Sequence, residues 1–386
     1  MDNKDLNTNV QPNKDLFVPV ERRDGESEQI GRPSLTFWKD SWMRLKKNTG
    51  AIIGLIMLLV VVFMALVGPL MNSYSSTDQN VERSKLPPRI QGLENVGWLP
   101  FTGLITEEFE AANVMTAEQR ATLRFGSDEE YKEVEVLSEG GNGEMAKIQV
   151  TYDPYAAGGF EEDYFWFGSD KLGRDQWTRI WEGTQISLLI ALVAAFIDMV
   201  IGVAYGGISG YYGGRVDNTL QRIIEILTGI PNLVIVILMI LVLGSGIVPI
   251  IIALTITGWT SMARIVRGQI LKLKSQEFVL ASKTLGSSDS RILRKHLIPN
   301  VTGLIVINTM FTIPSAIFFE AFLSFIGLGL QPPDASLGTL IDGGFDSLQT
   351  HPFLLIYPAI VISLIMIGFN ILADGLRDAL DPKMRD

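Results

Sequence analysis

The chain has 386 residues, of which 47% are hydrophobic, and a mean hydropathy of +0.26. It has no cysteine, which excludes thiol catalysis, cysteine-ligated iron–sulfur clusters and a disulfide framework. The net charge of −10 is uneven: residues 72–183 carry 21 acids and 10 bases, whereas the rest carries 21 acids and 22 bases. These values suit a polytopic membrane protein with a sizeable acidic soluble part.

Residues 1–32 are polar and read as a disordered cytoplasmic N-terminus, with no secretory cleavage site. Segment 33–71 follows. Leu35, Trp38, Trp42 and Leu45 recur at helical spacing beside Lys39, Arg44, Lys46 and Lys47. That pattern predicts an amphipathic helix in the membrane interface, or else a plain cytoplasmic extension of the first span. Gly50–Met71 is uncharged and long enough to cross about 30 Å of hydrocarbon.

Residues 72–165 read as an extracytoplasmic insertion with a small α+β fold. Thr116-Ala-Glu-Gln119 fits a capping box opening a helix toward Arg124. Alternation over 131–136 and 145–152, with Gly140, Gly141 and Gly143 between, predicts strand, loop, strand. The acidity is expected to be a solvated surface.

The remaining membrane part, 166–376, carries further spans at Thr184–Gly207, Asn218–Leu243, Ile247–Val266, Val301–Leu328 and Phe353–Ala373. Six spans put the Lys/Arg-rich connections and both termini, including the tail 377–386, on one side. The positive-inside bias makes that side cytoplasmic. The expected fold is therefore an all-α polytopic membrane protein of six transmembrane helices with the α+β insertion between the first and second.

Between the fourth and fifth spans lies a polar, net basic loop, 272–299. Ser275 is placed to cap a helix beginning near Gln276, with Glu277 in its first turn. Phe278, Ala281 and Leu285 share an apolar face, and Gly286 supplies a left-handed stop. Ser288 is placed to cap a second short helix that Pro299 should end. Two short helices around a glycine make a rigid knob for a partner, and Ala281, Ser282 and Gly286 keep part of it small.

This loop resembles the "EAA" loop of importer-type ABC permeases. Aligned on Gly286 and Pro299, the motif's Glu-Ala-Ala falls on Leu280-Ala281-Ser282, so its Glu is absent here, and Glu277 stands one turn earlier. Gly168-Ser-Asp-Lys-Leu-Gly-Arg-Asp175, Gly210-Tyr-Tyr-Gly-Gly-Arg-Val-Asp217, Ile313-Pro314, Leu323-Ser324-Phe325 and Gly375-Leu-Arg-Asp-Ala-Leu-Asp-Pro382 resemble the peptide/nickel permease family, C-type subunit. The resemblance covers about 35–71 and 165–386 and leaves out the acidic insertion.

It implies a type I importer permease in a bacterial cell membrane, carrying oligopeptides or dipeptides first and nickel second. The implied partners are a homologous second permease, two cytoplasmic ATPases and an extracellular lipid-anchored or periplasmic peptide-binding protein, in membrane lipid and without nucleic acid. The knob residues Glu277, Phe278, Leu280, Ala281, Ser282, Leu285, Gly286 and Pro299 are then the ATPase-coupling surface. No Gly-x-x-x-x-Gly-Lys-Ser/Thr occurs. The chain is thus expected to bind no cofactor, ATP and Mg acting in the partner subunits. An ion-coupled carrier working alone is the rival, and it leaves the knob without a use.

Three intramembrane residues stand out as pathway or gate candidates: Asp198, Glu320 and Ser324. An acid in a span is costly and usually functional or paired. Asp198 has no base in its own span, and facing a cavity or bonding a neighbouring helix are equally good readings. Glu320 lies beside Phe318, Phe319 and Phe322, and suits an outer gate held by hydrogen bonds slightly better than a site for a peptide amino group. Glu225 is three residues from Arg222, which suggests a local ion pair. His296 and His351 lie on opposite sides and suggest no metal site.

Overall fold

The computed structural model describes residues 37–140 and 144–380. The expectations for residues 1–32, for Leu35 and for the tail beyond residue 380 lie outside them.

Helix α1, Phe37–Lys47, exposes Trp38 and Trp42 while Ser41 and Leu45 are buried. Lys46 lies 5.2 Å from the Trp42 ring. Asn48 then ends α1 and caps α2, Thr49–Val67, by accepting from the Ala51 amide at 3.1 Å. The inward stripe of α2, Ala51, Gly54, Leu58, Val61 and Ala65, is small or branched. A Cβ at Gly54 would come within 2.9 Å of the Gly368 carbonyl, so backbones meet there as they do in small-residue membrane seams.

The insertion folds around a three-stranded antiparallel sheet ordered β1-β3-β2. Strand β1 is Ile105–Ala111, followed by α3, Val114–Phe125, then β2, Lys132–Ser138, and β3, Ala146–Tyr152. The two expected strands pair, with Val134 opposite Val150 and Val136 opposite Ile148. Strand β1 was not expected. Its acid-rich sequence hides the alternation that buries Ala111 against Ala117, Ala121, Ile148 and Val150. The α3 cap also moves: Asn113, not Thr116, accepts from the Thr116 amide at 2.8 Å. Asn113 wins because its side chain can accept from the Thr116 hydroxyl as well, at 2.9 Å. A short helix α4, Pro154–Gly158, leads back to the membrane part.

Helix α5, Gln176–Tyr212, starts well before the expected Thr184, because Asp175 caps it through the Thr178 amide at 2.7 Å and also accepts from Asn72. Its first turns pack into an outer collar. There the Trp177 indole donates to the Gly68 carbonyl at 2.8 Å, and Arg174 and Arg179 converge on Asp170. Helix α8, Ile247–Leu273, crosses α5 along Gly202, Gly206 and Gly210. A Cβ at Gly210 would stand 2.9 Å from the Arg267 carbonyl, so bare backbone is what lets the two helices touch.

The expected continuous third span is instead two helices, α6, Gly214–Thr228, and α7, Asn232–Leu243, bent by 78°. Gly229 and Pro231 lie at the break, where Pro231 lacks the amide a continuing helix needs. Among the described residues, five helices are long and apolar enough to span a membrane, or six with the bent pair taken as one.

Helices α9, Glu277–Thr284, and α10, Asp289–Ile292, form the knob. The expected stop at Pro299 does not occur. A π turn, Leu293–Leu297, runs directly into α11, Ile298–Phe325. The widened turn carries the Ile298 amide to the Leu293 carbonyl, which accommodates a proline that has no amide to offer the preceding turn. Helix α12, Leu337–Phe345, and α13, Phe353–Leu380, complete the bundle.

Candidate functional site

The knob turns its apolar residues in two directions. Val279 and Ser282 are buried, with Val279 packed among Met262, Val266, Ile270, Ile292 and Leu297. Phe278, Leu280 and Leu285 point outward, exposed by 43%, 52% and 86%. Glu277, Ala281, Gly286 and Pro299 are exposed as well. The expected grouping of Phe278, Ala281 and Leu285 is therefore kept, on the surface and not against the bundle.

Ser275 does not cap α9. Its hydroxyl donates back to the Lys272 carbonyl at 3.3 Å, and Gln276 occupies the cap position without a side-chain bond. Ser288 stands at the N-cap of α10, also without one. Gly286 adopts φ +80° and ends α9. A Cβ there would meet nothing within 4 Å, so the surface above it is open. The knob is tied to α5: Tyr211 donates to Asp289 at 2.6 Å, and Lys274 donates to the Gly210 carbonyl at 2.9 Å.

Beside this junction lies a latch that sequence reasoning missed. Arg267 on α8 grips Asp217 on α6 with two bonds of 2.5 and 2.6 Å, and Ser209 on α5 donates to the same carboxylate at 2.5 Å. Three helices meet at one carboxylate. Asp217 lay within a quoted motif, but its partner is 50 residues away. The exposed Arg222–Glu225 pair, at 2.7 Å, is the local pair expected.

Glu320 is fully buried in a cage of serines. It accepts from Ser187 of α5 at 3.0 Å and from Ser324 at 2.9 Å, while Ser187 in turn accepts the Leu337 amide at 3.2 Å. Ser336, at the N-cap of α12, lies 3.5 Å from Ser324. Glu320 and Ser324 thus join α5, α11 and α12, and neither lines the central cavity.

That cavity, of about 560 Å³, lies between α5, the α6–α7 break, α8 and α11. Among the described residues, Asp198 is the one charged residue on its wall. Its side chain lies against Gly258, where a Cβ would come within 2.8 Å of the carboxylate, and its Oδ1 has no hydrogen-bond partner. Six hydroxyls share the wall, and all but that of Ser261 spend their protons elsewhere. Thr228 donates to the Ile224 carbonyl, Thr257 to the Asn232 side chain, and Thr260 to the Thr257 carbonyl. Thr312 donates to the Asn308 carbonyl and Ser315 to that of Phe311. What these five groups offer the cavity is lone pairs, while Ser261 and the side-chain amides of Asn232 and Asn308 add donors. Phe311 and Phe319 add two aromatic surfaces.

Comparison with known proteins covers nearly the whole chain. Residues 202–386 match the model for the inner membrane component of binding-protein-dependent transport systems, and residues 36–88 match the N-terminal TM domain of oligopeptide transport permease C. The dipeptide transport system permease protein DppC of Bacillus subtilis (strain 168) is 40% identical over 370 residues, 96% of this chain and 93% of the relative. The oligopeptide transport system permease protein OppC of the same organism is 38% identical over 372 residues, covering 96% and 98%. The DppC of Lactococcus lactis subsp. cremoris (strain MG1363) is 43% identical over 377 residues, again covering 96% and 98%.

Proposed function

Since the chain belongs to the family of inner membrane components of binding-protein-dependent transport systems, on the oligopeptide and dipeptide permease branch, we propose that it forms part of a transmembrane path for short peptides. The observation that carries this is the match over 96% of the chain to two permeases named for dipeptides and oligopeptides. It favours peptides over nickel or an ion-coupled carrier.

The family works with ATPase and substrate-binding partners. For this chain we take them to be a homologous second permease, two cytoplasmic ATPases that hold ATP and Mg, and an extracellular or periplasmic peptide-binding protein. The Lys/Arg distribution supports a cytoplasmic knob and cytoplasmic termini. Phe278, Leu280 and Leu285, exposed around Gly286, supply the apolar anchor that an ATPase cleft would take up. ATP binding would close the ATPases and drag the knob. The latch at Asp217 would pass that displacement to α5, α6 and α8 together. Such coupling requires ATP to favour one state of the bundle over the other. The acidic insertion, the largest exterior segment, supports docking of the binding protein.

Co-purification of the complex and peptide uptake test the reading. Gly286→Trp should abolish coupled uptake while leaving the chain membrane-inserted, because it blocks the open surface over the knob. An intact complex with ATP hydrolysis still coupled to transport would count against the knob as coupling surface.

A further inference from the structure

We propose that Asp198 is the binding site for a primary ammonium group of the transported peptide. This rests on the permease reading and adds to it a subsite, its chemistry and the residue that supplies its charge. Asp198 is 5% exposed, lies in a membrane span and has a carboxylate oxygen without a partner. A buried ion in that position is costly unless an opposite charge comes to it. Among the described residues no cation lines the cavity, although Arg264 donates to the wall hydroxyl of Thr228 at 3.3 Å. A cation that enters would supply the counter-charge.

The wall specifies what kind of cation. A single carboxylate among neutral oxygens is a poor cage for a transition metal, which wants several nitrogen, sulfur or carboxylate ligands. An ammonium offers three donors and no acceptor. It would bond Asp198 and the lone pairs of hydroxyls whose protons are already committed, such as those of Thr312 and Ser315. Phe311 and Phe319 present aromatic surface suited to the same charge. At about 560 Å³ the cavity is in the range of small-ligand sites. Gly258 leaves the carboxylate its room, because any side chain there would collide with it.

The test uses the complete transporter, with its ATPases, in lipid nanodiscs and proteoliposomes. A hydrophobic carbodiimide should modify Asp198, read by mass spectrometry. Trialanine should protect it and N-acetyl-trialanine should not. N-acetyl-Ala-Ala-Lys distinguishes the source: protection means that a side-chain ammonium also serves, and its absence assigns the site to the peptide N-terminus. Either result keeps the ammonium chemistry. Equal protection by trialanine and its acetylated form, or none by either, overturns it.

In uptake, Asp198→Asn should lower trialanine transport about ten- to hundredfold, the loss of one charge-assisted pair. Asp198→Glu should restore part of it, with both variants assembling with their ATPases. Wild-type uptake that Asp198→Asn leaves untouched would sink this site and spare the permease reading. Failure of the wild type to transport any peptide would sink that reading instead.

Discussion

At the scale of single residues, burial decides what each polar group does. His351 lies in the loop before α13, with Nδ1 2.8 Å from the Thr350 hydroxyl and its backbone amide donating to the Ser347 carbonyl at 2.7 Å. Burial, aided by the positive charges of Lys85 and Arg124, lowers its pKa from 6.5 to about 4. The folded protein therefore holds His351 neutral where the unfolded chain would take up a proton. Its contribution to stability is complete above about pH 6.5 and is lost as pH falls from there toward 4. We expect thermal stability of the purified protein to decline across that window, and His351→Asn to flatten the decline. A slope identical in the two proteins would remove His351 as its source. Glu320 shows the same rule for a carboxylate. Ser324 lies one turn along the same helix, but Ser187 comes from α5 and Ser336 from the cap of α12, so a local pattern shows only part of the cage. The sequence supported a hydrogen-bonded Glu320 without naming the donors, and left Asp198 evenly divided. In the structure Asp198 lies in the lining of the cavity and is 5% exposed.

Among the elements, the membrane helices were legible as apolar runs, and their joints were not. Asn218–Leu243 reads as one span because its summed hydropathy passes over Gly229 and Pro231, yet the missing amide of Pro231 breaks it into α6 and α7. Pro299 gives the reverse error. It reads as a stop, but the π turn before it absorbs the proline and the helix continues. The α5–α8 seam carries a sharper expectation. A Cβ at Gly206 would collide with the Ala263 carbonyl oxygen and stand 3.0 Å from that residue's carbonyl carbon and Cα, closer than side-chain carbons normally come. Gly206→Ala should cost about 1–3 kcal/mol through overpacking. It should lower the melting temperature in detergent, whereas Gly268→Ala, with nothing within 4 Å, should not. Equal melting of the two variants would show that the helices have room to separate. Strand β1 escaped notice because Glu107, Glu108 and Glu110 interrupt its apolar positions, and only pairing with β3 reveals the face that Phe109 and Ala111 share.

On the scale of the whole molecule, the insertion is separable by geometry. Ile105 pairs with Tyr152, so the first and last residues of the sheet unit are neighbours. Replacing residues 105–152 by a short Gly/Ser linker should leave the collar and the bundle intact. If the insertion docks the peptide-binding protein, this variant should assemble with its ATPases yet need more loaded binding protein for half-maximal uptake. Unchanged dependence on binding-protein concentration would assign the acidic surface to solubility alone. Hydropathy, charge and motif spacing by themselves determined the class of the protein, the knob and the existence of the insertion. Each of these is a property of contiguous residues, which one-dimensional pattern can express. Only the tertiary structure decided which apolar knob residues face outward, that Asp217 and Arg267 close a latch, and that Asp198 belongs to a cavity wall while Glu320 does not. Those outcomes depend on groups from distant segments meeting within a few ångströms, where desolvation must be offset by whatever donor or acceptor the fold brings near.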